Sequence, residues 1–435
     1  MEEQRIGMMY LNLLKKSVAG MWDGMFPKGL RKSSALPILL ILLVVLGPIV
    51  VWKLHRLGRF GQLKREIKGE AVAPAPAGPR PGGVDPLVLK LAPTEGTTGP
   101  EFRTVTLLPG LGMGVLQITG NVPDLGEIEL LANPTAKDIA DGTAPNRKGV
   151  NDTWGALELP WSGLLTGLLT PVGNSFRTSW RGKTLEAPSV LPGRGVGEGG
   201  LLNMLPADSL DASPATNPTT AKASFKSTDF GGRWASKNDV DVAITLNVKT
   251  IDLEVTVKNV GEEPEPMGIG WHPRFVIPSG NREAAEIRLP GGELIEIADL
   301  TKGTPSGKFG QPGMAISRFQ QRSWPIGAEP VDGALVHLKP SPAESGVATE
   351  IRDPQSGFGL RMTKVSGDIR ELRVTSPTGS NYVSMGLQTD FDDPLGKEWG
   401  GAENVSITSL LPGQTAQWKI RLEIFSIPAH AAAGR

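Results

Sequence analysis

Beyond residue 102 the chain alternates apolar and polar positions in short runs. The clearest case is Val240 to Val260, where Val240, Val242, Ile244 and Leu246 precede Lys249-Thr250, and Ile251, Leu253, Val255 and Val257 follow it. A period of two predicts strands with one buried face, and two such runs about a short polar turn predict a hairpin. The same pattern recurs in RTVTLL, GVLQIT, EIELLA, EIRL, ELIEI, ALVHL, GLRMTKV, ELRVT and QWKIRLEIF, separated by Gly, Pro and Asn turns. No long amphipathic helical period interrupts them. Many short strands predict an all-β architecture: one antiparallel sandwich over residues 102–426, with a tail at 427–435.

The N-terminal pattern is different. Ala35 to Trp52 contains no charged residue, a run just long enough to cross roughly 30 Å of hydrocarbon as a helix. Residues 33–53 are therefore expected to form one transmembrane helix, kinked or ended at Pro48 and anchored at the interface by Trp52, Lys53 and Arg56. The late start and the basic residues that follow argue against a cleaved signal peptide. In the 1–32 arm, Ile6, Met9, Tyr10, Leu13 and Leu14 recur at helical spacing, and Met21, Trp22, Met25 and Phe26 add apolar bulk. This predicts an amphipathic helix over residues 2–26, lying in the membrane interface or against a partner subunit; a short cytoplasmic tail is the alternative. Residues 54–101 continue as a basic juxtamembrane segment and a proline-rich linker.

Composition sharpens this picture at three points. The 55 Gly and 37 Pro suit a turn-rich β protein. There are no cysteines, which excludes disulfides, thiolate metal sites and cysteine nucleophiles. Residues 1–70 hold 12 Lys/Arg against 5 Asp/Glu, so the neutral chain divides into a basic arm and an acidic body. A basic arm on an acidic body fits a lipid bilayer partner and excludes nucleic acid. The basic residues flanking the span are nearly balanced, five before and six after. The expected placement is the ordinary one for such anchors: single-pass in a bacterial inner membrane, with the β domain in the periplasm.

The chemistry-bearing residues centre on Gly270-Trp271-His272-Pro273-Arg274-Phe275, which follows the strand run Leu253 to Val260. Leu159-Pro160-Trp161 and Trp180-Arg181-Gly182 come before it. Asn381 to Gln388 (NYVSMGLQ) and Leu411-Pro412-Gly413-Gln414 come after. In this order the pieces resemble the aldose 1-epimerases (galactose mutarotases), across roughly residues 102–426. The resemblance implies a galactose mutarotase-like β-supersandwich, and it implies for His272 the role of general acid at a sugar ring oxygen. It also marks departures. Gly386 stands where the family carries its glutamate base, and glycine cannot accept a proton. Ser162-Gly163-Leu164-Leu165 follows LPW, where the family has an Asn-Arg pair. No histidine precedes Gly199-Gly200-Leu201, where the family usually has a second one.

Two readings of His272 follow, a catalytic acid or a buried, hydrogen-bonded support for its loop. Asp390 or Asp392, in the loop TDFDDPLGKEWG with Asp393 and Glu398, is the candidate replacement base; the same loop also reads as a solvated acidic turn. Trp161, Trp271 and Trp399, together with Trp154, are candidates for a wall on which sugar rings stack. Arg274 and Gln388 are candidate hydrogen-bonding partners for a carbohydrate. No metal or cofactor motif is present. The expected function is a membrane-anchored, non-catalytic mutarotase-like protein, serving as an accessory subunit of a membrane complex or as a carbohydrate-binding module. The alternative is a working aldose 1-epimerase with His272 as acid and a relocated carboxylate base.

Overall fold

The computed structural model describes residues 78–92, 99–142, 155–165, 170–172, 175–188, 197–213, 218–341, 344–400 and 406–427. The expected interfacial arm, transmembrane helix and basic juxtamembrane segment, with His55, Trp154 and His430, lie outside the described residues. Among the described residues no helix is long and apolar enough to cross a membrane.

Alternation in the sequence becomes two large antiparallel sheets. The first runs Ser209–Ser213, Thr219–Thr228, Asn238–Leu246, Thr250–Asn259, Thr415–Ser426, Phe358–Lys364, Ala348–Asp353, Glu286–Arg288, Trp324–Pro325. The expected hairpin is its centre: Leu246 pairs with Ile251, and the turn is closed by Asn247 donating to Thr250 O at 2.8 Å. The second runs Thr304–Gly310, Gly291–Asp299, Val331–Lys339, Glu371–Ser376, Tyr382–Gln388, Gly270–Trp271, Leu157–Glu158, and Arg274–Val276 also pairs with Tyr382–Gln388. Helices are few: Ala136–Asp141 and Met314–Gln321 are the two α-helices among the described residues.

The inner faces of both sheets meet in one apolar core. Val255, Val257, Ile420 and Leu422 from the first sheet join Leu372, Val374, Val383, Met385 and Leu387 from the second. Two polar contacts tie the sheets across that core, Trp418 Nε1 donating to Leu387 O at 2.8 Å and Thr349 Oγ1 donating to Met385 Sδ at 3.1 Å. A second, smaller cluster lies on the outer face of the second sheet, where Ala334 and Val336 are covered by Phe391, Trp399 and Phe309.

One boundary needs correction. The linker expected through residue 101 ends earlier, because Leu87–Lys90 is a strand paired with Glu101–Leu108, and Leu89 and Leu91 are buried in the main core. The four apolar or long-chain positions are too few to show a period among so many prolines.

Trp418 carries the junction of the two sheets. Trp418→Ala is expected to cost about 3–5 kcal/mol, through lost burial, the cavity left behind and the unpaired Leu387 carbonyl. Urea denaturation of the variant in mild detergent measures this; a midpoint equal to that of the wild type contradicts the assignment.

Candidate functional site

Strand register places one polar residue from each of several strands in a line across the outer face of the second sheet. Glu371 pairs with Gln388, Gln388 with Gly270, and Gly270 with Glu158. Their sequence neighbours Leu372, Leu387, Trp271 and Leu157 point the other way, into the core. In the next row Arg373 pairs with Gly386.

The two glycines in these rows are required by what lies on them. A Cβ on Gly270 would sit 2.2 Å from Ser162 Oγ, and one on Gly386 would sit 1.8 Å from His272 Cδ2. No side chain fits at either position without displacing its neighbour. The imidazole of His272 thus occupies the space that a side chain at the family's base position would fill. His272 Nδ1 lies 3.0 Å from Glu158 Oε2, and that same oxygen accepts from Gly163 N at 2.8 Å and Ser162 Oγ at 3.1 Å. Burial works against a charged ring. The Glu158 carboxylate, its hydrogen bond, the Asp392 charge and the nearby Gln388 amide outweigh burial, and hold the His272 pKa above its ordinary value. His272 Nε2 makes no well-aligned hydrogen bond.

The 389–400 loop closes over this row. The reading of it as a solvated acidic turn is corrected here: Asp390, Asp392 and Asp393 are all buried. Asp390 Oδ2 accepts from Ser162 N at 2.8 Å, and its carboxyl is pushed up to about 7, chiefly by burial and in part by the Glu158 charge, against the Ser162 N–H and Arg370. Asp392 Oδ2 is 3.6 Å from Arg373 Nη1, and Asp392 N donates to Glu371 Oε2 at 3.1 Å. Burial, then the Asp392 charge, raises Glu371 well above the usual carboxylate value despite Arg373. The candidate acid His272 and the candidate replacement bases Asp390 and Asp392 are thus in one cluster. The carboxylate bonded to His272, however, is Glu158, which the sequence did not single out.

The aromatic wall is also corrected. Trp161 is buried and stacked on Trp234 at 5.4 Å, and Trp271 is buried against Phe275 with Nε1 donating to Gly155 O. Trp399 packs between Phe309 and Phe391 and donates Nε1 to Asp393 O at 3.0 Å. Each is a packing residue, with no ring face left to stack on a sugar. Gln388 is buried, its amide donating to Asp390 O at 3.0 Å and accepting from Ser162 Oγ at 3.3 Å. Arg274 belongs elsewhere on the same face, lining a separate cavity beside Leu131 and Asn381. Among the described residues no group of His, Asp and Glu side chains is arranged to hold a metal ion.

Solved structures share this architecture. A galactose mutarotase-like protein from Clostridium acetobutylicum superposes with a TM-score of 0.59 at 14% identity, over 75% of this chain and 93% of its own. An aldose epimerase homologue from C. elegans gives 0.58 at 14%, over 79% and 100%. A galactose 1-epimerase from Lactobacillus acidophilus gives 0.53 at 10%, over 79% and 99%. No family model and no curated protein matches the sequence. The chain therefore has the galactose mutarotase-like fold, as the ordered motifs predict.

The buried acids give the domain a pH dependence of defined sign. Asp390 and Glu398 are raised from 3.8 and 4.5 to about 7, and Glu265 from 4.5 to about 8, in each case mainly by burial. Each holds its proton more tightly folded than unfolded, as does His272. The stability they contribute is complete below the unfolded values and is lost as pH rises through the folded ones. The melting temperature is expected to fall by several degrees between pH 5 and pH 8, and Asp390→Asn to flatten that fall. A melting temperature that rises with pH over this window would contradict the sign.

Proposed function

We propose that this chain is a non-catalytic protein of mutarotase fold, held at a membrane and acting as an accessory or structural subunit of a membrane protein complex. One observation carries the non-catalytic part: the His272 ring packs onto Gly386, so the position of the family's base is filled by the family's acid. Opening and reclosing a sugar hemiacetal needs an acid and a base on opposite sides of the sugar. Glu158 bonds directly to His272 and so orients it from the same side. Asp392 is paired with Arg373, and the aromatic side chains around the row are packed against one another. Membrane attachment rests on the uncharged run Ala35 to Trp52. A partner complex rests on the apolar face of residues 2–26, which is surplus to anchoring because one span inserts almost irreversibly.

A single feature favours the other reading, an aldose 1-epimerase. Asp390, with its carboxyl near 7, has an acid–base range suited to neutral pH. Polarimetry of glucose and galactose mutarotation separates the two. The full-length protein is expected to leave the buffer rate unchanged, since loss of a positioned acid–base group costs about 10²–10⁴-fold. An acceleration abolished by His272→Ala would establish the epimerase instead.

The partner is tested by deletion. A protein lacking residues 2–26 is expected to stay in the membrane fraction but to purify without the stoichiometric partners that accompany the full-length chain. Co-purification of the same partners with both forms would assign the complex to another surface.

A further inference from the structure

The 389–400 loop lies on the outer face of the second sheet and has no strand pairing of its own. Its backbone is tied to its surroundings by Thr389 N donating to Ile269 O and Asp393 N to Leu164 O, both at 2.9 Å, and by Phe391 N donating to Ser406 O at 2.7 Å. The rest of its hold comes from carboxyl groups and aromatic rings. Asp390 accepts from Ser162 N, Asp392 N donates to Glu371, and Phe391 and Trp399 rest on Ala334 and Val336. The strands beneath are fixed from the other side, by Leu372 and Leu387 in the main core. Loop and sheet can therefore part while the core stays closed.

The loop brings more acid into this space than the sheet balances. Asp390, Asp392 and Asp393 are buried, Glu398 is half-buried at the far end of the loop, and Glu158 and Glu371 lie in the strands below. The cations facing them are Arg370, Arg373 and, when protonated, His272. Arg373 is shared with Asp332 at 2.7 Å, and Arg370 Nε donates to Thr389 O. His337 and Glu293 face each other at 2.7 Å behind Phe309, while Lys397 on the loop and Lys308 on the adjoining strand are exposed. Asp390 Oδ1, Glu371 Oε1 and Glu398 Oε1 are buried and accept no hydrogen bond among the described residues. The Asp390 carboxyl lies against Gly268, where a Cβ would sit 2.3 Å from Oδ2, so no compensating side chain can approach from there. Carboxyl groups in such places hold their protons. Asp390 and Glu398 are pushed up to about 7, chiefly by burial, and Glu398 also by the Asp393 charge. Burial and the Asp392 charge hold Glu371 well above the usual carboxylate value. Each proton lost from these acids adds a negative charge to the closed space, and His272 loses its positive charge in the same direction. Closure is therefore strongest in acid and weakens as pH rises through the closed-state values.

We propose that the 389–400 loop is a pH-gated lid, closed over the His272 row in acidic solution and lifted on the alkaline side of neutrality by repulsion among the ionised carboxylates, while the sandwich below stays folded. The lid is independent of the membrane role, since neither a partner nor catalysis enters it. The chain contains no cysteine, so one introduced thiol reports on one position. Val336→Cys places a thiol beneath Phe391 and Trp399, Val255→Cys places one in the main core, and Thr301→Cys places one on an exposed turn. Alkylation by iodoacetamide is followed on the full-length protein in mild detergent from about pH 6 to about pH 9. Each rate is divided by that of Thr301→Cys at the same pH, which removes the effect of thiol ionisation. The Val336→Cys ratio is expected to rise about tenfold or more across this window, tenfold being one pKa unit of one group, while Val255→Cys stays protected. Asp390→Asn with Glu398→Gln, which keeps the shapes and removes the charges, is expected to abolish most of the rise. Should Val336→Cys fail to fold, Ala334→Cys reads the same face of the same strand. The proposal is overturned if the ratio is flat across the window, or if the neutralised variant rises as steeply as its parent. It is also overturned if Val255→Cys loses protection together with Val336→Cys, which would mark unfolding of the whole domain.

Discussion

An imidazole lying on the Cα of a glycine is the contact on which the outer face of the second sheet depends. With His272 seated over Gly386, its ring fills the floor of the site and presents Nδ1 to Glu158. Glu158 can then accept from three donors at once, His272, Ser162 and Gly163. Ser162 in turn needs the bare Cα of Gly270 beneath it, and its backbone N–H anchors Asp390. A buried charge is tolerable only with partners. In this cluster each ionised group finds one in its neighbour, not in a ligand. For Asp390 and Glu371 burial outweighs the nearby guanidinium groups: Asp390 is pushed up to about 7, and Glu371 is held well above the usual carboxylate value.

Below the polar row the core leaves little room for rearrangement. Leu372, Leu387, Trp271 and Leu157, the inward neighbours of the row, sit in the main cluster, and Trp418 and Thr349 reach across from the first sheet to Leu387 O and Met385 Sδ. Above it, Phe391 and Trp399 bring the 389–400 loop down onto Ala334 and Val336. The loop is held by apolar contact at the aromatic residues and by hydrogen bonds at the aspartates. This is why a run so rich in acid residues is buried.

Much of this fold was legible in the sequence, and the legible part shares one cause. Where a strand has one face in the core and the other in water, period two is plain, as in Val240 to Val257, and the sandwich followed from repeating it. Where both faces are covered, the same pattern misleads. Glu371 and Arg373 alternate with Leu372 and Val374 like solvent-facing residues, yet they face the loop. Glu158 stands alone among apolar neighbours in a strand of two residues, too short for any period. The tryptophans suggested a binding wall by their number, but large aromatic rings in a sandwich are most often packing residues, and their burial was not encoded locally. The Gly386 departure was visible. Its physical meaning, a slot filled by a histidine more than a hundred residues earlier, needed the strand pairing.

The position of Arg274 shows how the same sheet separates two kinds of chemistry. His272 and Arg274 are two residues apart on one edge, and both point to the outer face. Around His272 the neighbouring strands supply carboxylates, glycines and a folded-down loop, so Glu158, Ser162 and Asp390 bond to one another. Around Arg274 the neighbours are Ser384, Val276, the clamped segment at Leu131 and, in the lining of the same cavity, the acids Glu129 and Asp138. The difference is made by what the adjacent strands bring, not by the motif that carries both residues.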